Sequence, residues 1–312
     1  MFPDSIKNFS LFSVLAFLIF INYSSCQLDD TTPNPTPLHN YLSFEAFFIE
    51  QDLEITEEKF AATDPIDFTS ANGTSIQIES ENLLLTSGTE PTDSITIRLQ
   101  EFPNNSDLIM ADLSLADDDG TIMKLAGLHT VTAKAANQTL GLDGFMDIEF
   151  GNAGTGITEA GELTIFHAED NAQAPFLPET AGSTINFSNG EFTLQTDKIG
   201  KILAAKQSAY NNTTTISLTN SLEQEGLIEQ RAYIVFKNFK GIKKLTQDGA
   251  DFTTSGIPTG VPAVVVFMAM DNTYFHIATE EITTSESLTV DLSSRNYPPV
   301  DFMTLLRNID DL

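Results

Sequence analysis

The chain has 312 residues with 44 acidic and 15 basic side chains, a formal net charge of −29, and a single cysteine. So negative a surface repels phosphate backbones and anionic headgroups, which argues against nucleic acid as a partner. One cysteine excludes an internal disulfide framework and a thiolate-built zinc site. With 41% hydrophobic residues the composition is that of a folded chain, and its length suggests two domains, each able to bury a core.

Residues 1–25 read as an export signal: Lys7 gives a weakly positive start, and the apolar run Leu11–Ile21 follows. That run is shorter than the ~20 apolar residues that span a bilayer as a helix, so a cleaved leader is expected rather than an anchor. Cys26 stands where the run ends, after Ser24 and Ser25. This resembles a bacterial lipobox, in which the cysteine is lipidated and becomes the mature N-terminus, although Tyr23 holds a position that is usually aliphatic. The plainer alternative is ordinary cleavage near Ser25. The acidic pair Asp29-Asp30 is similar to the surface-export signal of Bacteroidota lipoproteins, and Thr31–Pro37 is a Thr/Pro/Asn tether with little to bury. On a single lipidated terminus, the acidic body is expected to stand off the membrane rather than lie on it.

From residue 41 onward strand signals dominate. Ser75–Glu79 and Ser94–Leu99 alternate apolar and polar residues, and Phe145–Phe150, Leu163–Phe166 and Thr184–Phe187 are further short strands. Asn72-Gly73, Asp119-Gly120, Asp143-Gly144 and Asn189-Gly190 are turn pairs between them. Beyond Asn211–Thr215, Ala232–Phe236 and Val261–Met270 are strands apolar throughout. Asp271-Asn272 is a turn into Thr273–Ile277, and Ser287–Leu292 closes the sheet. Phe302, Leu305, Leu306 and Ile309 have helical spacing, with Asp301 as the expected cap. The fold class expected is all-β: two tandem β-sandwich domains with a short C-terminal helix.

Gly73–Ile78, Ile95–Phe102, Asp107–Met110 and Lys124–Val131 form an ordered series. It resembles an uncharacterised group of Bacteroidota surface lipoproteins carrying a β-sandwich similar to the ZU-five domain of ankyrins and netrin receptors. Glu79 stands where that family usually has proline, and Leu125–Leu128 keeps the Ala-Gly centre of its last motif. The stretch from Gly256 to the terminal helix is similar to the family's second half, a carboxypeptidase-regulatory or transthyretin-like β-sandwich. The tryptophan- and cysteine-containing segment common between the halves is replaced here by Gly200–Leu203. The resemblance implies a signal peptide at 1–25, a lipidated tether at 26–40, a ZU-five-like sandwich at 41–170, an intermediate β segment at 171–225 and the regulatory-type sandwich at 226–312. It implies protein interaction rather than a chemistry.

His39 is expected to be solvated in the tether, and His276 to face solvent from a half-buried strand. His129-Thr130 has the wrong spacing for His-x-Ser/Thr self-cleavage, because Val131 holds the third position. His167 with Glu169 and Asp170 offers ligand types for a divalent ion but reads more simply as a polar strand exit. Asp117, Asp118 and Asp119 are a candidate weak calcium site, against the simpler reading of a solvated hairpin turn. No nucleophile elbow, phosphate-cradling glycine loop or His-Glu-x-x-His helix occurs.

The expectation is a non-enzymatic outer-membrane lipoprotein exposed at the cell surface, acting as an interaction or adhesion module. It has no cofactor other than a candidate calcium ion, a lipid anchor at Cys26, a protein or glycan partner and no nucleic-acid partner. The alternatives are a carbohydrate-capture lipoprotein and a hydrolase or metal-dependent enzyme whose carboxylates the sequence does not reveal.

Overall fold

A strand that is apolar at every position has two faces to bury, and the strands of that kind lie in the middle of this molecule. The computed structural model describes residues 39–51, 53, 55–116, 120–151, 157, 159–168, 176–179, 182–207, 210, 212–220, 226–285, 288–292 and 295–311. Leader, Cys26 and nearly all of the tether lie outside the described residues, as do Asp117, Asp118 and Asp119.

The body is all-β, in two sandwiches with a short C-terminal helix. The first sandwich has a large sheet ordered β1 (Ile55–Phe60), β5 (Ile95–Glu101), β6 (Met123–Ala135), β13 (Gly200–Gln207), β9 (Thr164–Ala168) and β10 (Leu177–Pro178), with β4 (Leu83–Leu85) and β7 (Gln138–Leu142) branching from β6. Opposite it lies a sheet ordered β11 (Thr184–Ser188), β12 (Glu191–Thr196), β8 (Met146–Gly151), β3 (Ser75–Ile78) and β2 (Ile66–Thr69). The second sandwich pairs a sheet of β17 (Thr246–Asp248), β18 (Asp251–Pro258), β14 (Thr213–Asn220) and β21 (Leu288–Leu292) with one of β16 (Ile242–Lys244), β15 (Glu229–Phe236), β19 (Pro262–Met270), β20 (Phe275–Thr283) and β22 (Arg295–Tyr297). Segment 171–225 divides between them: β10 to β13 complete the first sandwich, and β14 enters the second.

Turn chemistry agrees with the pairing. Asn189 and Gly190 both adopt left-handed φ, 55° and 89°, between β11 and β12, the twist that a two-residue hairpin needs. Ala136-Asn137 does the same between β6 and β7, at 46° and 67°, without a glycine to announce it.

The two sandwiches are not separate beads: Leu38–Leu312 is one compact unit. Along β19, Ala263, Val265, Phe267 and Ala269 point into the second sandwich, while Val264, Val266, Met268 and Met270 point out of it into a further core. On β13, Ile202 and Ala204 serve the first sandwich, and Leu203 and Ala205 face that same further core. This central core is filled by three short helices, α1 (Phe44–Ile49), α2 (Asn105–Met110) and α3 (Pro299–Arg307). Phe275 lies at its centre, with ring centroids 4.4 Å from Phe47 and 4.9 Å from Phe302.

Helix α3 starts differently from expectation. Pro298 holds the cap position without a side-chain bond, and Asp301 lies in the first turn instead, where its charge still suits the helix dipole. Proline at the first helical position, Pro299 here, gives up no hydrogen bond.

Because one core serves both halves, Phe275→Ala should cost about 3–5 kcal/mol and lower one shared unfolding transition. Calorimetry resolving two transitions, with only one displaced, would contradict the shared core.

Candidate functional site

The polar groups that stand out are at the seam between the sandwiches. After α2 the chain turns at Asp112, whose φ of 54° is left-handed, a conformation aspartate tolerates better than most residues. The turn presents its carboxylate to the second half. The Tyr233 hydroxyl donates to Asp112 Oδ1 at 2.5 Å, Lys244 Nζ donates at 2.7 Å, and an Arg231 guanidinium nitrogen stands 3.6 Å away. Arg231 is itself held by Glu229 at 2.7 Å, and Glu229 also accepts from the Phe44 amide at 2.6 Å. The guanidinium lies over the Phe44 ring, 5.4 Å from its centroid. Burial, and then the Asp112 charge, push the Tyr233 hydroxyl well above its usual range. For Arg231, burial opposes the charge, but Tyr233, Asp112 and Glu229 outweigh it and its pKa is raised. An arginine and a tyrosine locked in protonated form brace the seam; neither is poised to transfer a proton.

A second contact lies further along the seam. Lys240 Nζ donates to the carbonyls of Phe102, at 2.6 Å, and Pro103. Burial lowers its pKa to about 8 against the pull of Asp107 and Asp310. Asp310 also accepts from the Ser106 amide at 3.0 Å and from its hydroxyl, tying the C-terminal turn to α2.

His129, on β6, is buried inside the first sandwich with its ring 4.8 Å from Phe150, and neither ring nitrogen has a hydrogen-bond partner. Burial, with a smaller contribution from the Lys240 charge, lowers its pKa to about 3. Gly127 beside it leaves room for the rings: a Cβ there would meet Phe150 at 2.5 Å and His129 Nε2 at 2.9 Å. The glycine at the centre of the sequence motif is thus a packing requirement.

Two other histidines are not where tether position and strand alternation put them. His39 is buried against Phe275, with ring centroids 4.5 Å apart, because the end of the tether is part of the body. His276 is buried rather than surface-facing, and its Nε2 lies 3.0 Å from Asp271 Oδ2. The other oxygen of Asp271 accepts from the amides of Thr273 and Tyr274 at 2.6 and 2.7 Å, which forms the turn. His167 is half-buried and its Nε2 contacts the Ile199 carbonyl at 3.0 Å, while Glu169 and Asp170 lie outside the described residues. The candidate calcium residues Asp117–Asp119 and the lipidation residue Cys26 lie outside them too. Among the described residues, no group of three or more His, Cys, Asp or Glu side chains is placed to hold a metal ion.

The outward face of the β2-β3-β8-β12-β11 sheet is built differently. Ile76, Ile148 and Leu194 point into the core, so Gln77, Asp147, Glu149, Thr193 and Gln195 point away from it. Together with Ser75, Thr184 and Asn186 they line a shallow hollow of about 230 Å³. Gln195 Nε2 donates to Asp147 Oδ1 at 2.9 Å across it. At its edge Glu149 is raised above its ordinary pKa by a hydrogen bond with Glu191 and by that residue's charge. The sequence reads as an alternating strand at β3 and a short strand at β8, but does not show that their polar positions converge.

No protein-family model and no curated protein matches this chain.

Asp112→Ala would leave Arg231 and Tyr233 buried without their shared partner and should cost about 3 kcal/mol, read in denaturant unfolding. A loss below about 0.5 kcal/mol, typical of an exposed pair, would show that the seam does not depend on this carboxylate.

Acid should also weaken the fold through His129. Its unfolded-state value of 6.5 lies above its folded value of about 3, so between them the unfolded chain binds the extra proton. Stability from this residue is therefore complete above pH 6.5 and is lost as pH falls toward 3. Melting curves of a His129→Leu variant should depend less on pH across that window; the same pH dependence as the parent would refute the assignment.

Proposed function

We propose that this chain is a non-enzymatic lipoprotein, anchored through Cys26 at the outer membrane and exposed at the cell surface, where it works as an interaction or adhesion module. What carries this reading is the use to which the structure puts its polar chemistry. The half-buried Asp112 and Lys240 and the buried Arg231 and Tyr233 side chains join the two halves, and the polar groups turned outward line a shallow, solvent-facing sheet surface. Rigid sheets with polar outer faces suit contact with another macromolecule, the specificity residing in the side chains they display.

Carbohydrate capture is the second reading, and one observation favours it. The hollow on the outer sheet is lined by amide, hydroxyl and carboxylate side chains with no cation among them, a donor and acceptor set for a neutral polyhydroxylated ligand.

The Cys26→Ser variant should move from the membrane to the soluble fraction; unchanged detergent partitioning would remove the anchor. Crosslinking on intact cells should capture a defined species with the parent chain and lose it with Asp147→Arg/Thr193→Arg. Identical capture by both would remove this face as the contact surface, whereas saturable binding of a neutral glycan, abolished in the same variant, would select the second reading.

A further inference from the structure

A strand at the end of a sheet offers unpaired N–H and C=O groups to any other chain, and proteins block such edges with charge, proline or extreme shortness. Among the described residues, β1, β2, β16, β17, β21 and β22 each end a sheet and contain charged residues, and β10 contains Pro178. The short β4 is closed by its own turn, where the Leu85 amide donates to the Thr89 carbonyl at 2.9 Å. Strand β11, Thr184-Ile185-Asn186-Phe187-Ser188, has none of these defences. It is uncharged in a chain of net charge −29. It pairs on one side, with β12, and Thr184, Asn186 and Ser188 are exposed. The turn at Ala160–Glu162 runs close to β11 without a backbone hydrogen bond to it.

The order of residues in β11 selects the partner. Paired antiparallel with a second copy of itself about Asn186, the strand sets Ile185 opposite Phe187 twice, Thr184 opposite Ser188 twice, and Asn186 opposite Asn186. Aromatic against β-branched and hydroxyl against hydroxyl are favoured cross-strand pairs, and no like charges meet. Ile185 and Phe187 are half-buried against the core of the first sandwich, so a second strand covers apolar surface that β11 leaves partly open. One strand pair buries less than the roughly 1,200–2,000 Å² of a stable interface. The contact is therefore reversible and depends on concentration.

We propose that two copies of this chain pair through β11, antiparallel and two-fold symmetric about Asn186, so that the β2-β3-β8-β12-β11 sheet continues from one body into the other. Thr184 and Asn186 also line the polar hollow on the outer side, and the pairing sets two such hollows side by side on one continuous face. The pairing requires neither the lipid anchor nor a ligand in the hollow.

Cys26 is the one cysteine of the chain, so Cys26→Ser leaves a background without thiols. Opposed residues in an antiparallel pair have Cα atoms roughly 4.5–5.5 Å apart, within reach of a disulfide. In that background Asn186→Cys should form a disulfide-linked dimer under a mild oxidant. Thr193, which faces Asn186 from β12, lies three strand spacings, roughly 14 Å, from its own copy in the pair, and Thr193→Cys should not link. In sedimentation equilibrium the Cys26→Ser chain should dimerise reversibly. Adding Asn186→Asp, which sets two carboxylates opposite each other, should weaken the dimer roughly fivefold at an unchanged melting temperature. A chain that stays monomeric at every concentration leaves the edge to a strand of another protein and overturns the pairing. So does a dimer that Asn186→Asp leaves as tight as before, or a disulfide that forms as fast from Thr193→Cys as from Asn186→Cys.

Discussion

The constraint on which the rest depends is that the two inner sheets are buried on both faces. Strands β6 and β13 from one sandwich, and β15 and β19 from the other, each divide their side chains between their own sandwich and the common central core. Apolar burial contributes roughly 25 cal/mol per Å², so two sandwiches with one apolar outer face each gain by packing together. The helices α1, α2 and α3 share that common core, and Phe44 and Phe47 of α1 and Phe302 of α3 surround Phe275.

The polar chemistry follows from that burial. Loops crossing a seam between two cores carry carbonyls and charges that must be matched, since an unpaired buried group costs more than a made bond returns. Asp112 and Lys240 do the matching: one carboxylate gathers Tyr233, Arg231 and Lys244, and one ammonium meets two carbonyls. The shifted pKa values of Tyr233, Arg231 and Lys240, which in a cleft would suggest catalysis, here come with the work of joining two halves. His129 joins nothing: its ring nitrogens are unpartnered inside an apolar sandwich. It stays neutral there, at the cost of a lowered pKa.

Much of the fold was legible beforehand because strand alternation is a local signal. Ser75–Ile78, Ile95–Leu99, Met146–Phe150 and Thr184–Phe187 alternate, and all are strands. The unbroken apolar runs at 232–236 and 262–270 announced burial on both faces without saying against what. The candidate site was less legible. His39 is expected to be solvated as part of the tether and His276 as the outward residue of an alternating strand, yet both are buried, one against Phe275 and the other beside Asp271. Nothing local marks Asp112, since its partners lie more than a hundred residues away. Helix α1 was missed as well, because Phe44–Ile49 adjoins the tether and is too short to show a period.

The sequence by itself determined the all-β class, the strand and turn pattern, the C-terminal helix and the strongly acidic character, because each is written in neighbouring residues or in a sum over all of them. Only the tertiary structure decided that the sandwiches share a third core, that Asp112 and Lys240 join them, and that polar side chains from β3, β8, β11 and β12 converge on one hollow. Those features depend on pairing and layer order between segments far apart in the chain, and local periodicity carries no information about which distant face a given face will meet.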